Sequence, residues 1–426
     1  VQYYGTQPTG GEGITRDLGV VGSANYSYDN RYLLDVNYRL TGSSDFGADK
    51  RWGHFYSFGA GWNVHEEKFL KDVVWINRIK LRASTGYTGS QGFSTYAAVP
   101  TVNYYQSGYR GQLGSYLLGL ANPDLAWQKK YDNNLGIDVT FLDGSLNGRF
   151  DWYVSTTKGT ITNVTTPPST GFASYTANLG EVENKGWEAY LNWRVWNEKA
   201  SMSYVTLYVS ASGNENTLKK VSNSLKSMND VTDKDYDEKS ENTSVPVRYE
   251  EGASMSTIWV VKSLGIDPET GKEVFRKKDG SLTYDWDSRD YVDGGDTRPK
   301  VSGNFGINAE WHGIGLNAGF TWRLGGQIYN TTLLNKVENA DVHKNVDRRV
   351  FTDRWNTPGQ VARFKAISDD SSTQPTSRFV EDYNLLTFSS LNVYYDFREC
   401  GFVKNSFLQR MKATFYMNDI ATISSV

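Results

Sequence analysis

Between Leu34 and Thr41 the chain alternates strictly. Leu34, Val36, Tyr38 and Leu40 fall on one side of an extended strand, and Asp35, Asn37, Arg39 and Thr41 on the other, because successive side chains of a strand point to opposite faces. One such segment suits a half-buried strand of any sheet. Here the pattern recurs about a dozen times. Tyr56, Phe58, Ala60, Trp62 and Val64 oppose Ser57, Gly59, Gly61 and Asn63; Leu135, Ile137, Val139 and Phe141 oppose Gly136, Asp138 and Thr140. Ile314, Leu316, Ala318, Phe320, Trp322 and Leu324 oppose Gly315, Asn317, Gly319, Thr321 and Arg323. The segments are roughly 9–11 residues or slightly longer, enough to cross a bilayer at a barrel's tilt. Tyrosine or tryptophan near their ends suits the membrane–water interface. The expected fold is all-β, a transmembrane antiparallel β-barrel.

Mean hydropathy is −0.56, and no run of about 18 apolar residues offers a membrane-spanning helix. A barrel needs none, since only alternate residues face lipid and the lumen is wet. Helix-period segments are scarce. The net charge of −3 gives no pull toward nucleic acid, and the single cysteine, Cys400, leaves no intramolecular disulfide.

Short and long connections alternate. Asp29-Asn30, Leu142-Asp143-Gly144-Ser145, Asn197-Glu198-Lys199-Ala200 and His312-Gly313 are tight-turn signals. The stretches 89–127, 157–186, 214–252 and 325–383 are long, as expected where a barrel carries an extracellular crown over short periplasmic turns. About 13 strands are predicted, near 19–28, 31–41, 53–65, 77–88, 127–142, 145–157, 185–196, 201–213, 255–264, 301–311, 314–324, 384–397 and 409–418.

Several segments resemble the SusC/RagA-type TonB-dependent transporters of the Bacteroidetes outer membrane. They include Asn25-Tyr-Ser-Tyr-Asp-Asn-Arg-Tyr-Leu-Leu34, Gly42-Ser-Ser-Asp-Phe-Gly47, Arg51-Trp-Gly-His-Phe-Tyr-Ser57 and Ile79-Lys-Leu-Arg-Ala-Ser-Thr-Gly86. Asn122-Pro-Asp-Leu-Ala-Trp127, Asn178-Leu-Gly-Glu-Val-Glu-Asn-Lys-Gly-Trp-Glu188, Gly325-Gly-Gln-Ile-Tyr-Asn330 and Arg378-Phe-Val-Glu-Asp382 follow in the same order. The resemblance implies that residues 1–426 are the C-terminal portion of one such receptor barrel, of about 22 strands in all. The plug, an N-terminal domain and the final strand are expected to lie outside this chain. It further implies import of oligosaccharides captured with a SusD-like surface lipoprotein and driven by TonB through a region absent here. Outer-membrane lipid and a second SusCD unit are the other implied neighbours. Oligopeptide import of the RagA kind, or a structural role in an outer-membrane assembly, are the alternatives the resemblance leaves open.

No catalytic constellation stands out. His54, His65, His312 and His343 show no HExxH spacing, and there is no GxSxG or Walker loop, so an enzyme is not expected. Sugar faces stack on aromatic rings while hydroxyls bond polar side chains, which selects the loop residues Tyr104, Tyr105, Tyr109 and Arg110 as ligand contacts, with Trp259, Trp286, Tyr329 and Trp355 behind them. Asp285, Asp287 and Asp290 supply clustered oxygens of the kind calcium prefers, and structural Ca2+ in that loop is the one cofactor considered. Asp233-Lys-Asp-Tyr-Asp-Glu238 reads as a mobile acidic loop. Strand tryptophans Trp152, Trp187 and Trp193 read as lipid-facing. Arg39, Lys80, Arg82, Asp138, Glu188, Arg194 and Arg323 read as lumen-facing. A passive porin and a soluble adhesive β-protein are the rival classes.

Overall fold

The computed structural model describes residues 14–47, 49–90, 97–105, 110–112, 114–166, 168–172, 174–178, 180–198, 201, 203–239, 241–405 and 407–426. Twelve strands pair in chain order into one antiparallel sheet. They are β1 (Asp17–Tyr28), β2 (Tyr32–Ser43), β3 (Trp52–Asn63), β4 (Ile76–Ser90), β5 (Gln128–Phe141) and β6 (Leu146–Lys158). After them come β7 (Glu181–Glu198), β8 (Ser203–Lys220), β9 (Val301–Trp311), β10 (Ile314–Tyr329), β11 (Val380–Asp396) and β12 (Lys412–Ser424). The sheet ends at β1 and β12, so the barrel is not closed by these strands alone.

Register carries the alternation of each strand across the whole wall. One row runs Leu34, Ala60, Ala83, Leu135, Trp152, Trp187 over β2 to β7. Another runs Leu191, Val209, Phe305, Phe320, Phe388 over β7 to β11, and there Phe320 stacks on Phe305 and Phe388 with centroids 5.0 and 4.6 Å apart. The opposite face carries Asp35, Gly59, Ser84, Asn134 and Tyr153 in one row and Ser210, Asn304, Thr321, Thr387 and Thr422 in another. Leu135 is 54% exposed and Trp152 43%. A contiguous apolar face of that size is stable only against lipid.

Tight turns join β1 to β2, β5 to β6 and β9 to β10 at one end, where the connections 64–75 and 397–411 are longer than the short turns expected there. Asp29, Asn30, Asp143 and His312 take positive φ of 49, 53, 54 and 47°, with Gly144 and Gly313 following at 79 and 87°. That left-handed geometry matches the strand twist and suits Asn, Asp and Gly.

The other end carries a crown. A four-stranded sheet is built in the spatial order Leu282–Thr283, Glu273–Arg276, Thr257–Ile266, Tyr291–Asp296. Here the expectation of about 13 wall strands is corrected to twelve: the segment expected at 255–264 is a strand of the crown. The reason lies in its side chains. Ile258, Trp259, Val260 and Val261 are all buried, on both faces of the strand, with Ile258 and Val260 in one core and Trp259 and Val261 in another. A consecutive apolar run of this kind marks a strand covered on both sides.

The segment 214–252, expected as a loop, first continues β8 to Lys220 and then forms helix α1 (Asn223–Glu238). The acidic stretch Asp233–Glu238 is therefore the last turns of a helix, with Tyr236 buried beneath it. The connection 325–383 is shorter than expected at both ends, since β10 reaches Tyr329 and β11 starts at Val380. Its middle packs Leu333, Leu334, Val337, Val350, Phe364 and Phe379 onto Ile258 and Val260.

Candidate functional site

Two polar assemblies stand out, one on the inner wall and one within the crown. On the wall, β4, β5 and β6 each bring charged residues to the face opposite the apolar rows. Arg82 Nε lies 2.8 Å from Asp138 Oδ2, Arg82 Nη2 lies 2.9 Å from Asp151 Oδ1, and Arg149 Nε lies 2.6 Å from Asp151 Oδ2. Gly136, between them, leaves room for this approach: a Cβ there would sit 2.5 Å from Asp151 and 2.6 Å from Arg82. Two guanidinium groups and two carboxylates thus close a neutral network. Register places Arg39, Lys80, Glu188, Arg194 and Arg323 on the same face, as expected for lumen-facing charges.

The crown is held by a buried ionic knot. Arg378 donates from Nε and Nη2 to the two Glu273 oxygens at 2.8 and 2.6 Å, and from Nη2 to Glu338 at 2.6 Å. Thr376 and Thr373 hydroxyls donate to the same two carboxylates at 2.6 and 3.2 Å. Burial alone would lower the Arg378 guanidinium, but Glu273 and Glu338 outweigh it and hold the group above its ordinary value. Glu273 comes from the crown sheet, Glu338 and Arg378 from the 330–379 connection, so the knot ties two long loops into one unit. A second buried cation, Arg248, pairs with Asp233 of α1 and lies 5.8 and 5.2 Å from the Trp259 and Tyr291 ring centroids. Burial pushes the Asp233 carboxyl upward against the pull of Arg248.

The residues expected to touch ligand separate into two groups. Tyr104 and Tyr105 stand at the end of a small hairpin, Val102–Tyr104 against Ser115–Leu117, and both are exposed. Tyr105 leans on Tyr116 with centroids 5.0 Å apart, and Tyr116 receives the Asn103 amide at 3.4 Å. Arg110 is exposed and takes φ of 50°; Tyr109 lies outside the described residues. By contrast Trp259 and Tyr329 are core residues, Trp286 donates to the Pro375 carbonyl at 3.1 Å and Trp355 to that of Pro268 at 2.8 Å. These four hold the crown together.

Asp285, Asp287 and Asp290 do not converge. Asp287 caps a short turn and pairs with Arg289, which holds its carboxyl below the usual range. Asp290 accepts the Lys278 amide at 3.0 Å. Among the described residues no three His, Cys, Asp or Glu side chains come together as a metal-ligating group.

Sequence reasoning did not find the knot, although Arg378 heads one of the quoted motifs. Two other motifs are braces as well. Asn178 bonds the Ala126 amide and carbonyl, each at 2.8 Å, and the Gly159 carbonyl at 3.0 Å. Trp127 packs on Phe46 and Phe55 with centroids 4.3 and 5.5 Å apart.

The family model "TonB dependent receptor-like, beta-barrel" matches residues 2–340. The chain belongs to that family. As a TonB-dependent receptor barrel it is an outer-membrane protein. It is 25% identical to the TonB-dependent receptor P39 of Formosa agariphila over 476 aligned residues, covering 99% of this chain and 44% of that protein. It is 37% identical over 185 residues to the TonB-dependent receptor SusC of Bacteroides thetaiotaomicron, covering 40% of this chain and 18% of SusC. A structure of the RagAB peptide transporter superposes with a TM-score of 0.82 at 20% identity, covering 97% of this chain and 44% of that one. The receptor barrel described here thus spans less than half the length of these relatives.

Proposed function

We propose that this chain is part of a SusC-type importer that takes up oligosaccharides captured beneath a SusD-like surface lipoprotein. The crown faces outward, and TonB acts through a region outside this chain. The observation that supports this reading best is the asymmetry of the wall. Tight turns join β1 to β2, β5 to β6 and β9 to β10 at one end, and a crown with its own core and ionic knot rises from the other. A porin has no use for so large a consolidated superstructure, whereas a lidded importer needs a firm rim for the lid to seat on. Within that rim Tyr104 and Tyr105, next to Asn103 in the hairpin and with Arg110 in the same connection, combine aromatic faces with hydrogen-bonding groups, the pairing that sugar rings require.

The test is uptake by cells carrying the full-length protein, its gene deletion, or a TonB deletion, with fluorescent oligosaccharide and oligopeptide pools offered side by side. Loss of oligosaccharide uptake in both deletions, with a lipoprotein recovered at about one copy per barrel in mild detergent, is the expected result. Loss confined to oligopeptides would replace the substrate class. Unchanged uptake of both pools, with no lipoprotein recovered, would replace import by a structural role.

A further inference from the structure

The inner face of the wall has a charged part and a neutral part. On β4 to β6 two adjacent rows read Arg82, Gly136, Asp151 and Lys80, Asp138, Arg149, so every position but Gly136 is charged. On β8 to β12 three adjacent rows carry no charged residue. The first is the row from Ser210 to Thr422, where the Ser210 hydroxyl donates to Asn304 at 2.8 Å. Next toward the tight turns come Tyr208, Gly306, Gly319, Ser390 and Asn418. The third row is Thr206, Asn308, Asn317, Asn392 and Tyr416. Together they extend about 13 Å along the strands, at about 3.3 Å per residue. Arg323 stands one row toward the crown and Glu310 one row toward the turns, where Tyr394 donates to it at 2.6 Å. Tyr208 lies flat on this face: a Cβ at Gly306 would sit 2.5 Å from its hydroxyl oxygen, and one at Gly319 3.2 Å from it. Glycine at both positions leaves room for the ring to lie along the wall with one face turned to the lumen.

We propose that this neutral face over β8 to β12 is the side of the lumen along which a neutral oligosaccharide passes, its rings meeting Tyr208 and its hydroxyls the amides of Asn308, Asn317 and Asn392. Side-chain amides and hydroxyls both donate and accept, so they match sugar hydroxyls in either sense. Passage needs contacts strong enough to admit a ligand and weak enough to release it. A series of neutral groups supplies many weak contacts of that kind, whereas Arg82, Asp138, Asp151 and Arg149 are already committed to one another. The route rests on the importer reading above and adds to it the side of the barrel that the ligand follows.

The experiment uses cells carrying the full-length protein and a fluorescent pool of neutral oligosaccharides. The variants are N317L/N392L, Y208A and Y208F, with N134L as the matched change on the inner face of β5. Heat-modifiable migration verifies that each barrel is folded, and N317L/N392L and Y208A are read independently, so either one suffices. Three quantities are measured: the uptake rate, the probe held at the surface of cells lacking TonB, and exclusion of a large hydrophilic antibiotic. N317L/N392L and Y208A should each slow uptake about fivefold, the size of a lost hydrogen bond or ring contact. Surface capture and antibiotic exclusion should stay at the wild-type level, and Y208F and N134L should import like the wild type. Undiminished uptake by both N317L/N392L and Y208A, beside normal import by the wild type, would overturn this route alone. Equal slowing by N134L would overturn it as well, since the effect would then belong to the whole lumen. Entry of the antibiotic would mean that the face holds the plug instead of the ligand. A wild type that takes up no neutral oligosaccharide would overturn the importer reading, and the route with it.

Discussion

The wall and the crown bury their apolar residues in opposite ways. In the wall, Leu135, Trp152 and Phe320 lie on one side of a single sheet and rely on lipid to cover them, so the protein itself supplies only hydrogen-bonded pairing and neighbours in the row. In the crown, Val260, Leu334, Val337 and Val350 are fully buried among side chains from three separate segments, as in a water-soluble domain. Full burial contributes about 1.5–3 kcal/mol per large aliphatic side chain, and close packing makes each one sensitive to its neighbours. One polypeptide thus has two stabilities. The wall is set by the membrane, the crown by its own core.

The sharpest way to break the comparison is Arg378→Ala. It removes the ion-pair partner of the buried Glu273 and Glu338 carboxylates, a loss of about 3–5 kcal/mol. The crown should become rapidly exchanging and protease-sensitive while the barrel keeps its heat-modifiable migration. Simultaneous unfolding of the wall would show that the two regions are one cooperative unit. Next in size is a contrast between adjacent wall residues. Leu135→Arg places a charge toward lipid at a cost of about 2–4 kcal/mol near the bilayer centre and should cut the yield of inserted barrel. Asn134→Arg, one residue away on the lumen face, should insert normally. Equal yields would mean that the faces are assigned wrongly.

Alkali sharpens the comparison further. Burial pushes the Tyr291 phenol in the crown well above its ordinary value, so the folded crown keeps a proton that an unfolded crown releases near pH 10. The contribution is fully present below that pH and is lost above it, by about 1.4 kcal/mol per pH unit. Crown exchange rates in the full-length protein should climb steeply above pH 10, and less steeply in Tyr291→Phe. The same slope in both proteins would remove Tyr291 as the cause.

The sequence made the wall legible and the crown largely illegible, for one physical reason. A stave sits between lipid and water, so its period of two appears directly in residues such as Leu34 to Thr41. A crown strand has protein on both sides, and Ile258–Val261 shows only an apolar run that fits a stave or a core strand equally well. The candidate ligand residues divide along the same line. Tyr104 and Tyr105 are exposed, while Trp259, Trp286 and Trp355 lie in, and Tyr329 at the edge of, long connections that have an interior of their own. The Arg378 knot joins positions 273, 338 and 378, a set with no local pattern to betray it.

Helix α1 did leave a signal. Ser222 precedes it, and Leu225, Asn229 and Tyr236 repeat at helical spacing, although the charges between them read as a solvated loop. The Ser222 hydroxyl accepts the Leu225 amide at 3.2 Å, capping one of the donors that a helix start leaves unpaired. Leu225 packs on Val182, Leu218 and Val221, and Asn229 bonds the Tyr249 amide and carbonyl at 2.9 and 2.8 Å, so the cap fixes the end of α1 that seats on the wall. Ser222→Ala should therefore cost about 1 kcal/mol, the smallest of these effects, read as faster exchange confined to the first turns of α1. Ser222→Asp should restore protection, because a carboxylate caps as well and also favours the positive end of the helix. If the Ala and Asp variants exchange alike, α1 is held from its far end, by Tyr236 and the Asp233–Arg248 pair, and the wall contributes nothing to its placement.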